Sequence, residues 1–413
     1  MSVAAIPTPE IDSLSARRES LRPFTQVFAI FLCGCIAFLD LYCTQPLLPY
    51  LAHVFRASEA AVSLTISAAT LGVAFSAFLL ALFAERAPRK RTIVLSMTAL
   101  ALCALLIPAA NSLRMLAVLR LLQGFVTPGV FIITIAYITE EWPPHLIPRV
   151  MSFYVAGTVF GGFLGRMLGG LIVTHLGWRS VFLILGLVGL CGAAATQWLL
   201  PAATHRPSHA RHKSHFAPIF ANLRNPRLLA TFAIGFCMLF TLVSVFSYIT
   251  FYLVAAPFHL TTAQLSWLFA VYLFGLIATL AAGTVLVRIG LRHGMLIAIG
   301  LCLSGLALTL IHSLPFVALG LAVVASGVFI AQTCANSFLR DAAPADSRVS
   351  AAGMYICAYY IGGTVGGILP GLLWRFGGWP TCTAITAFFL AVSGFTAFYG
   401  WRNRQPEPDP IPL

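Results

Sequence analysis

Twelve stretches of about 20 apolar residues run through this chain, near 24–47, 61–83, 92–110, 114–137, 150–173, 178–200, 227–253, 264–286, 294–312, 315–338, 350–374 and 379–401. Each is long enough to cross a bilayer as a helix. In lipid, only helices and closed barrels satisfy every backbone polar group, and runs this long and continuously apolar are helical. The 413-residue chain is 59% hydrophobic and 9% charged, against roughly 25% charged residues in a soluble domain. An all-α membrane protein with twelve transmembrane helices is expected. Residues 1–23 are polar and carry Arg17, Arg18 and Arg22. The apolar run behind them is too long for a signal peptide and lacks a small-residue cleavage pattern, so it reads as the first helix.

The net charge of +13 has a topological origin. With an even number of spans the termini share a side, and nineteen Lys and Arg fall on that side against four on the other. Positive charge marks the cytoplasm, which predicts that both termini are cytoplasmic and leaves a nucleic-acid partner without support. The ten cysteines, among them Cys33, Cys35, Cys103, Cys191 and Cys302, show no metal-ligand or disulfide spacing. No metal site is expected from them.

The chain repeats itself. "FYVAGTVFGGFLGRMLGGLIVTHLGW" from Phe153 lies over "MYICAYYIGGTVGGILPGLLWRFGGW" from Met354 without a gap, at a shift of 354 − 153 = 201. Tyr154 falls on Tyr355, Gly161 on Gly362, Gly165 on Gly366, Gly170 on Gly371 and Trp178 on Trp379. "ALFAERAPRKR" from Ala81 lies over "GTVLVRIGLRH" from Gly283 at nearly the same shift. Two pseudo-symmetric six-helix bundles follow, 24–200 and 227–401, joined by a polar linker at 201–226 and flanked by cytoplasmic tails at 1–23 and 402–413. Parallel six-helix repeats describe a secondary transporter with its site at the midplane between them.

Three motifs give that architecture a family. The loop Ala81, Leu82, Phe83, Ala84, Glu85, Arg86, Ala87, Pro88, Arg89, Lys90, Arg91 resembles the signature of the major facilitator superfamily (MFS), with Ala81 and Pro88 in place of glycines and Glu85 in place of Asp. "LRLLQG", with Arg120, Gln123 and Gly124, resembles the superfamily's helix 4 motif. Gly161, Gly165, Gly169 and Gly170 match its helix 5 antiporter motif, with Arg166 where a proline is usual. "DLYCTQPLLP", "GGFLGR" and "YITFYL" resemble the YnfM-like branch of drug:proton multidrug efflux transporters. The resemblance implies the MFS fold, residence in the bacterial cytoplasmic (inner) membrane and efflux driven by a proton gradient, with no bound cofactor. It also implies that Glu85, Arg86, Arg89, Lys90 and Arg91 contribute to a cytoplasmic latch that breaks as the halves rock. A plain positive-inside anchor is the alternative, favoured for the last three.

Gly157, Gly161, Gly165 and Gly169 recur every four residues and form one helix face that lets another backbone approach closely. Gly170, Gly362, Gly366 and Gly371 extend that packing expectation. Such a face serves equally as a static seam or a sliding surface.

Asp40 is the one acid well inside an apolar run. A charge in a membrane helix costs about 3 kcal/mol or more and is a functional-site hypothesis by default. Asp40 lies 16 residues after Phe24, about 24 Å along helix 1. Arg120 and Arg166 reach a similar level, so the three are expected to meet as a proton-coupling group. The alternative is a permanent structural pair of Asp40 with Arg120. Pro46 and Pro49 are expected to bend helix 1.

Gln45, Gln123, Tyr154, Tyr248, Tyr252, Gln332, Asn336, Tyr355, Tyr359 and Tyr360 are the candidate cavity residues, a set suited to amphiphilic small molecules. Interfacial anchoring is the alternative for any tyrosine. His205, His209, His212 and His215 read as part of a solvated linker rather than a metal site. No nucleotide loop, nucleophile motif or dinucleotide fingerprint occurs, so no enzyme is expected. The expected function is proton-driven antiport exporting small amphiphilic molecules such as drugs or metabolites, by a monomer. The alternatives are proton-coupled uptake by the same fold and a non-transporting sensor or membrane enzyme.

Overall fold

The computed structural model describes residues 9–83, 88–202, 217–344 and 347–401. Glu85, Arg86 and the histidines of the linker lie outside them. Among the described residues, every regular element is helical: α1 (Pro9–Leu41), α2 (Leu48–Phe55), α3 (Glu59–Phe83), α4 (Arg89–Leu106), α5 (Leu113–Glu141), α6 (Ile147–Leu199), α7 (Ala217–Leu223), α8 (Pro226–Val254), α9 (Thr262–Leu268), α10 (Val271–Ile289), α11 (Leu291–Thr309), α12 (Leu314–Ala342), α13 (Arg348–Trp374) and α14 (Gly378–Gly400). Ten of the described helices are long and apolar enough to cross a membrane. The helix starts follow local chemistry: Ser112 caps α5 by accepting from the Met115 N–H, and Asn225 caps α8 ahead of Pro226.

Three departures from the expected spans matter. The first run does not continue to residue 47; α1 stops at Leu41 and Pro49 opens a separate helix, α2. The fifth and sixth runs form one 53-residue element, broken at Gly177, whose φ of 77° suits a residue without a Cβ. The eighth run is split into α9 and α10.

Contacts between helix ends sort into two faces. On one, Arg89 meets Glu140, the Tyr137 hydroxyl donates to Pro201 O (3.2 Å), Asn222 Nδ2 donates to Ser347 O (3.3 Å) and Arg292 Nη2 donates to Phe398 O (2.7 Å). We term this the basic face. On the opposite face, Arg179 Nε donates to Pro108 O (2.8 Å), Phe55 packs on Trp178, and Trp379 Nε1 donates to Thr309 O (3.3 Å).

The repeat recurs as three-dimensional contact. A methyl group added at Gly161 would overlap the Cys35 carbonyl, and one at Gly165 the Leu39 carbonyl, so α6 lies backbone to backbone on α1. Gly362 and Gly366 of α13 stand in the same relation to Phe236 and Phe240 of α8. Glycines and partners share one offset, 362 − 161 = 201 and 236 − 35 = 201. Gly157 and Gly169 continue the first seam against Phe31 and Cys43.

A second set of close approaches joins the N-terminal part of the chain to the C-terminal part. Ser67 Oγ donates to Thr364 O (3.0 Å), the Thr70 and Thr364 hydroxyls are 3.0 Å apart, and Gly371 lies against Ala60. Gly170 of α6 lies against Ser266 of α9. Ala60, Gly371, Gly170 and Ser266 lie near the helix ends of the opposite face, and there the two parts of the chain are packed together.

Candidate functional site

The site begins with the break after Asp40. Pro46 has no N–H, so it cannot donate back to Tyr42 as a continuous helix requires. The chain tightens instead: Gln45 N donates to Tyr42 O (3.1 Å) and Leu47 N to Thr44 O (3.0 Å). The Leu41 carbonyl thereby loses its helical donor, the N–H of Gln45. Arg120 takes its place. Nη2 of Arg120 donates to Leu41 O, Nη1 to Asp40 O (2.8 Å) and to Gln123 Oε1 (2.8 Å), and Nε to Thr65 O (3.3 Å). A fully buried guanidinium thus caps the C-terminal end of α1, where a positive charge complements the helix dipole.

The three expected charges gather around Cys43, but without a direct hydrogen bond between carboxylate and guanidinium. Arg120 bonds the main chain of Asp40 rather than its carboxylate, because the break presents carbonyls to its planar fork. Among the described residues, both carboxylate oxygens of Asp40 are without a hydrogen-bond partner, although the residue is only 1% exposed. The Oγ1 of Thr44 and the Nε2 of Gln123 are likewise buried and unpartnered.

Arg166 does not join Asp40 through a hydrogen bond either. Its Nε donates to Gln45 Oε1 (2.6 Å), Nη1 to Gly162 O (2.6 Å) and Nη2 to the Tyr272 hydroxyl (3.3 Å). The guanidinium carbon lies 4.6 Å from the ring centre of Tyr42, 4.3 Å from Tyr272 and 5.5 Å from Phe269. Gln45 also donates through Nε2 to Ser247 Oγ (3.3 Å). The segment 42–47 is therefore tied through Gln45 to α6 on one side and to α8 on the other. Among the described residues, no carboxylate lies within 4 Å of Arg120 or Arg166.

The remaining cavity candidates divide into separate groups. Tyr355, Tyr359 and Tyr360 form a buried aromatic cluster on α13, in which the Tyr359 hydroxyl donates to Gln332 Oε1 (3.2 Å). Phe131 packs on Tyr360, and the Tyr154 hydroxyl donates to Phe131 O (3.2 Å). Tyr248 donates to Gly367 O, beside the seam between α3 and α13. Tyr252 stacks on Trp379 at the opposite face, and Asn336 is exposed. Tyr154, Gln332, Tyr355, Tyr359 and Tyr360 thus lie together around Phe131, whereas Asn336 is exposed away from them.

On the basic face, Arg89 binds Glu140 in a two-pronged pair, Nε to Oε2 at 2.9 Å and Nη2 to Oε1 at 2.7 Å. Arg89 is therefore more than an anchor, whereas Lys90 and Arg91 enter no ion pair among the described residues. Sequence reasoning missed Glu140, Tyr42, Tyr272, Phe269 and Ser247. Glu140 had a signal, an acid at the end of an apolar run that finishes on the side of Arg89. The others had none beyond being aromatic or small.

Comparison with known proteins adds the following. Residues 30–256 and 246–413 match the family model described as Major Facilitator Superfamily. The inner membrane transport protein YnfM of Escherichia coli (strain K12) is 30% identical over 366 residues, 88% of each chain. An uncharacterized transporter of Buchnera aphidicola subsp. Schizaphis graminum is 27% identical over 391 residues, 94% of each chain. Among solved structures, a bacterial homologue of the human lysosomal transporter Spinster, inward-facing and unoccupied, superposes with a TM-score of 0.73, covering 92% of this chain and 96% of that one. At 16% identity, that likeness is one of fold.

Proposed function

Because this chain belongs to the major facilitator superfamily and is a secondary transporter of small molecules, we propose that it is a proton-coupled antiporter exporting amphiphilic compounds, with Asp40 as the proton-carrying group. The observation that carries the proposal is the Asp40 carboxylate, buried and, among the described residues, without a hydrogen-bond partner directly before a break in a membrane helix. Discontinuous helices with ionisable groups at the break are where transporters of this kind place coupling sites. The protonation state of such a carboxyl depends on whether water or packed protein faces it. Alternating access changes that environment once per cycle.

The break also supplies a mechanical link. Gln45, five residues beyond Asp40, is bonded to Ser247 in the C-terminal part of the chain. Parting of the two parts at the opposite face must release that bond and free the segment directly after Asp40 to move. Arg120 keeps the end of α1 fixed to α3 and α5 meanwhile, so the motion is confined to 42–47.

Topology follows from charge: the basic face is cytoplasmic, with both termini there, and the packed opposite face is periplasmic. Counting the two limbs of α6 separately and α9 with α10 as one span gives twelve spans in two bundles, 24–200 and 227–401, joined by 201–226. Similarity to YnfM over most of both chains and the helix 5 glycines support placement in that branch and the export direction. Glu85 and Arg86 are proposed as the cytoplasmic latch alongside the Arg89–Glu140 pair.

The test is a proton-flux measurement in liposomes with a substrate identified by thermal-shift screening. Asp40→Asn should bind that substrate and fail to move protons against it. Proton-coupled transport undiminished in the Asn variant would remove Asp40 from the role.

A further inference from the structure

The Arg166 cage points to the chemistry of the substrate. Arg166 is 1% exposed and carries a full positive charge with no carboxylate within 4 Å among the described residues. Three aromatic rings surround it. Aromatic faces attract a cation but do not neutralise it. A guanidinium has five N–H groups, and the acceptors of Arg166 are Gln45 Oε1, Gly162 O and the Tyr272 hydroxyl. One N–H on each terminal nitrogen is left without an acceptor among the described residues, and a guanidinium with free N–H groups pairs strongly with a carboxylate.

The cage is also built from both parts of the chain. Tyr42 and Gln45 come from the break after α1, whereas Phe269 and Tyr272 come from the C-terminal part. When the opposite face opens, Arg166 must lose Phe269, Tyr272 and the longest of its three hydrogen bonds, the 3.3 Å bond to the Tyr272 hydroxyl. The two 2.6 Å bonds to Gln45 and Gly162 lie within the N-terminal part and survive. What remains is an oriented, under-satisfied cation beside an aromatic wall.

We propose that Arg166 binds the carboxylate of an amphiphilic organic monocarboxylate, and that the Tyr272 hydroxyl occupies that place when the opposite face is closed. The proposal rests on the transporter reading above and deepens it by naming the substrate class. Substrate and gate then compete for one guanidinium, so binding of the acid favours the open face and its release lets Tyr272 return.

The test uses the purified full-length protein in a neutral maltoside detergent, with 1-naphthoate and decanoate as probes and their neutral amides as controls, followed by titration calorimetry. At least one carboxylate should bind about tenfold or more tightly than its amide, since a site built for a charged acceptor rejects the analogue lacking it. Arg166→Lys keeps the charge but not the fork and should weaken carboxylate binding by about tenfold, with amide binding unchanged. Tyr272→Phe removes the competing hydroxyl and should tighten carboxylate binding. If the Arg166 variants do not fold, Tyr272→Phe and the acid–amide comparison on the unmodified protein decide alone. The proposal is overturned if neither carboxylate binds, if amides bind equally, if Arg166→Lys retains the full preference, or if Tyr272→Phe leaves carboxylate affinity unchanged. Displacement of naphthoate by phosphatidylglycerol in the unmodified protein but not in Arg166→Lys would assign the site to a lipid headgroup and overturn it too. Carboxylate selectivity without any proton flux would refute proton coupling by Asp40 and leave the assignment of Arg166 standing.

Discussion

Arg120→Lys separates two roles for a buried arginine, neutralising Asp40 or capping the end of α1. Lysine supplies the same charge from a single nitrogen, and for charge pairing alone it would serve nearly as well. The structure has three guanidinium nitrogens reaching four acceptors, the carbonyls of Asp40, Leu41 and Thr65 and the side chain of Gln123. An ammonium carries three N–H donors on one nitrogen, so one or two of the four buried acceptors lose their donor. Side-chain hydrogen bonds within membrane proteins average about 0.6 kcal/mol and reach about 1.7. One or two lost bonds therefore cost roughly 0.6–3 kcal/mol, and four, in Arg120→Met, roughly 2–7 before the relief of no longer burying a charge is subtracted. Asp40→Asn, by contrast, removes no hydrogen bond and should change stability by less than about 1 kcal/mol. Reversible unfolding in mixed detergent micelles, followed by tryptophan fluorescence, ranks the three variants. Native-like stability of Arg120→Lys together with a marked loss in Asp40→Asn would refute the capping role and restore a carboxylate–guanidinium pair.

Other expectations follow from the packing. Gly161→Leu and Gly362→Leu should each separate a helix pair and cost about 3 kcal/mol or more, or prevent folding, whereas Gly300→Ala, with open space around it, should be silent in the same unfolding assay. Glu140→Gln should remove the two-pronged pair with Arg89 at a cost of about 1 kcal/mol that shrinks in high salt, since the pair is only partly buried. In a Thr70→Cys/Thr364→Cys variant, whose side chains replace hydroxyls 3.0 Å apart, oxidation should hold the opposite face closed and stop transport, and reductant should restore it. Persistent transport by the oxidised form would show that the seam between α3 and α13 does not open during the cycle.

The sequence by itself determined what depends on the solvent and on local order. Apolar runs of sufficient length must be helices in lipid, and the offset of 201 residues between Gly161 and Gly362 reappears in their partners Cys35 and Phe236. That agreement arises because close approach needs a missing side chain, and a missing side chain is visible as a letter. The partners of Arg120 and Arg166 were decided by tertiary structure. The presence of one acid and two arginines at similar depth suggested a charge cluster, but which acceptor lies within 3 Å depends on the helix break at 42–47 and on the rotation of α5 and α6 about their axes. Pro46 signalled a bend, yet only the fold shows that the break frees a carbonyl and that Arg120 takes it. The Tyr42, Phe269 and Tyr272 cage was similarly invisible, since its members come from two distant parts of the chain and meet only where the opposite face closes.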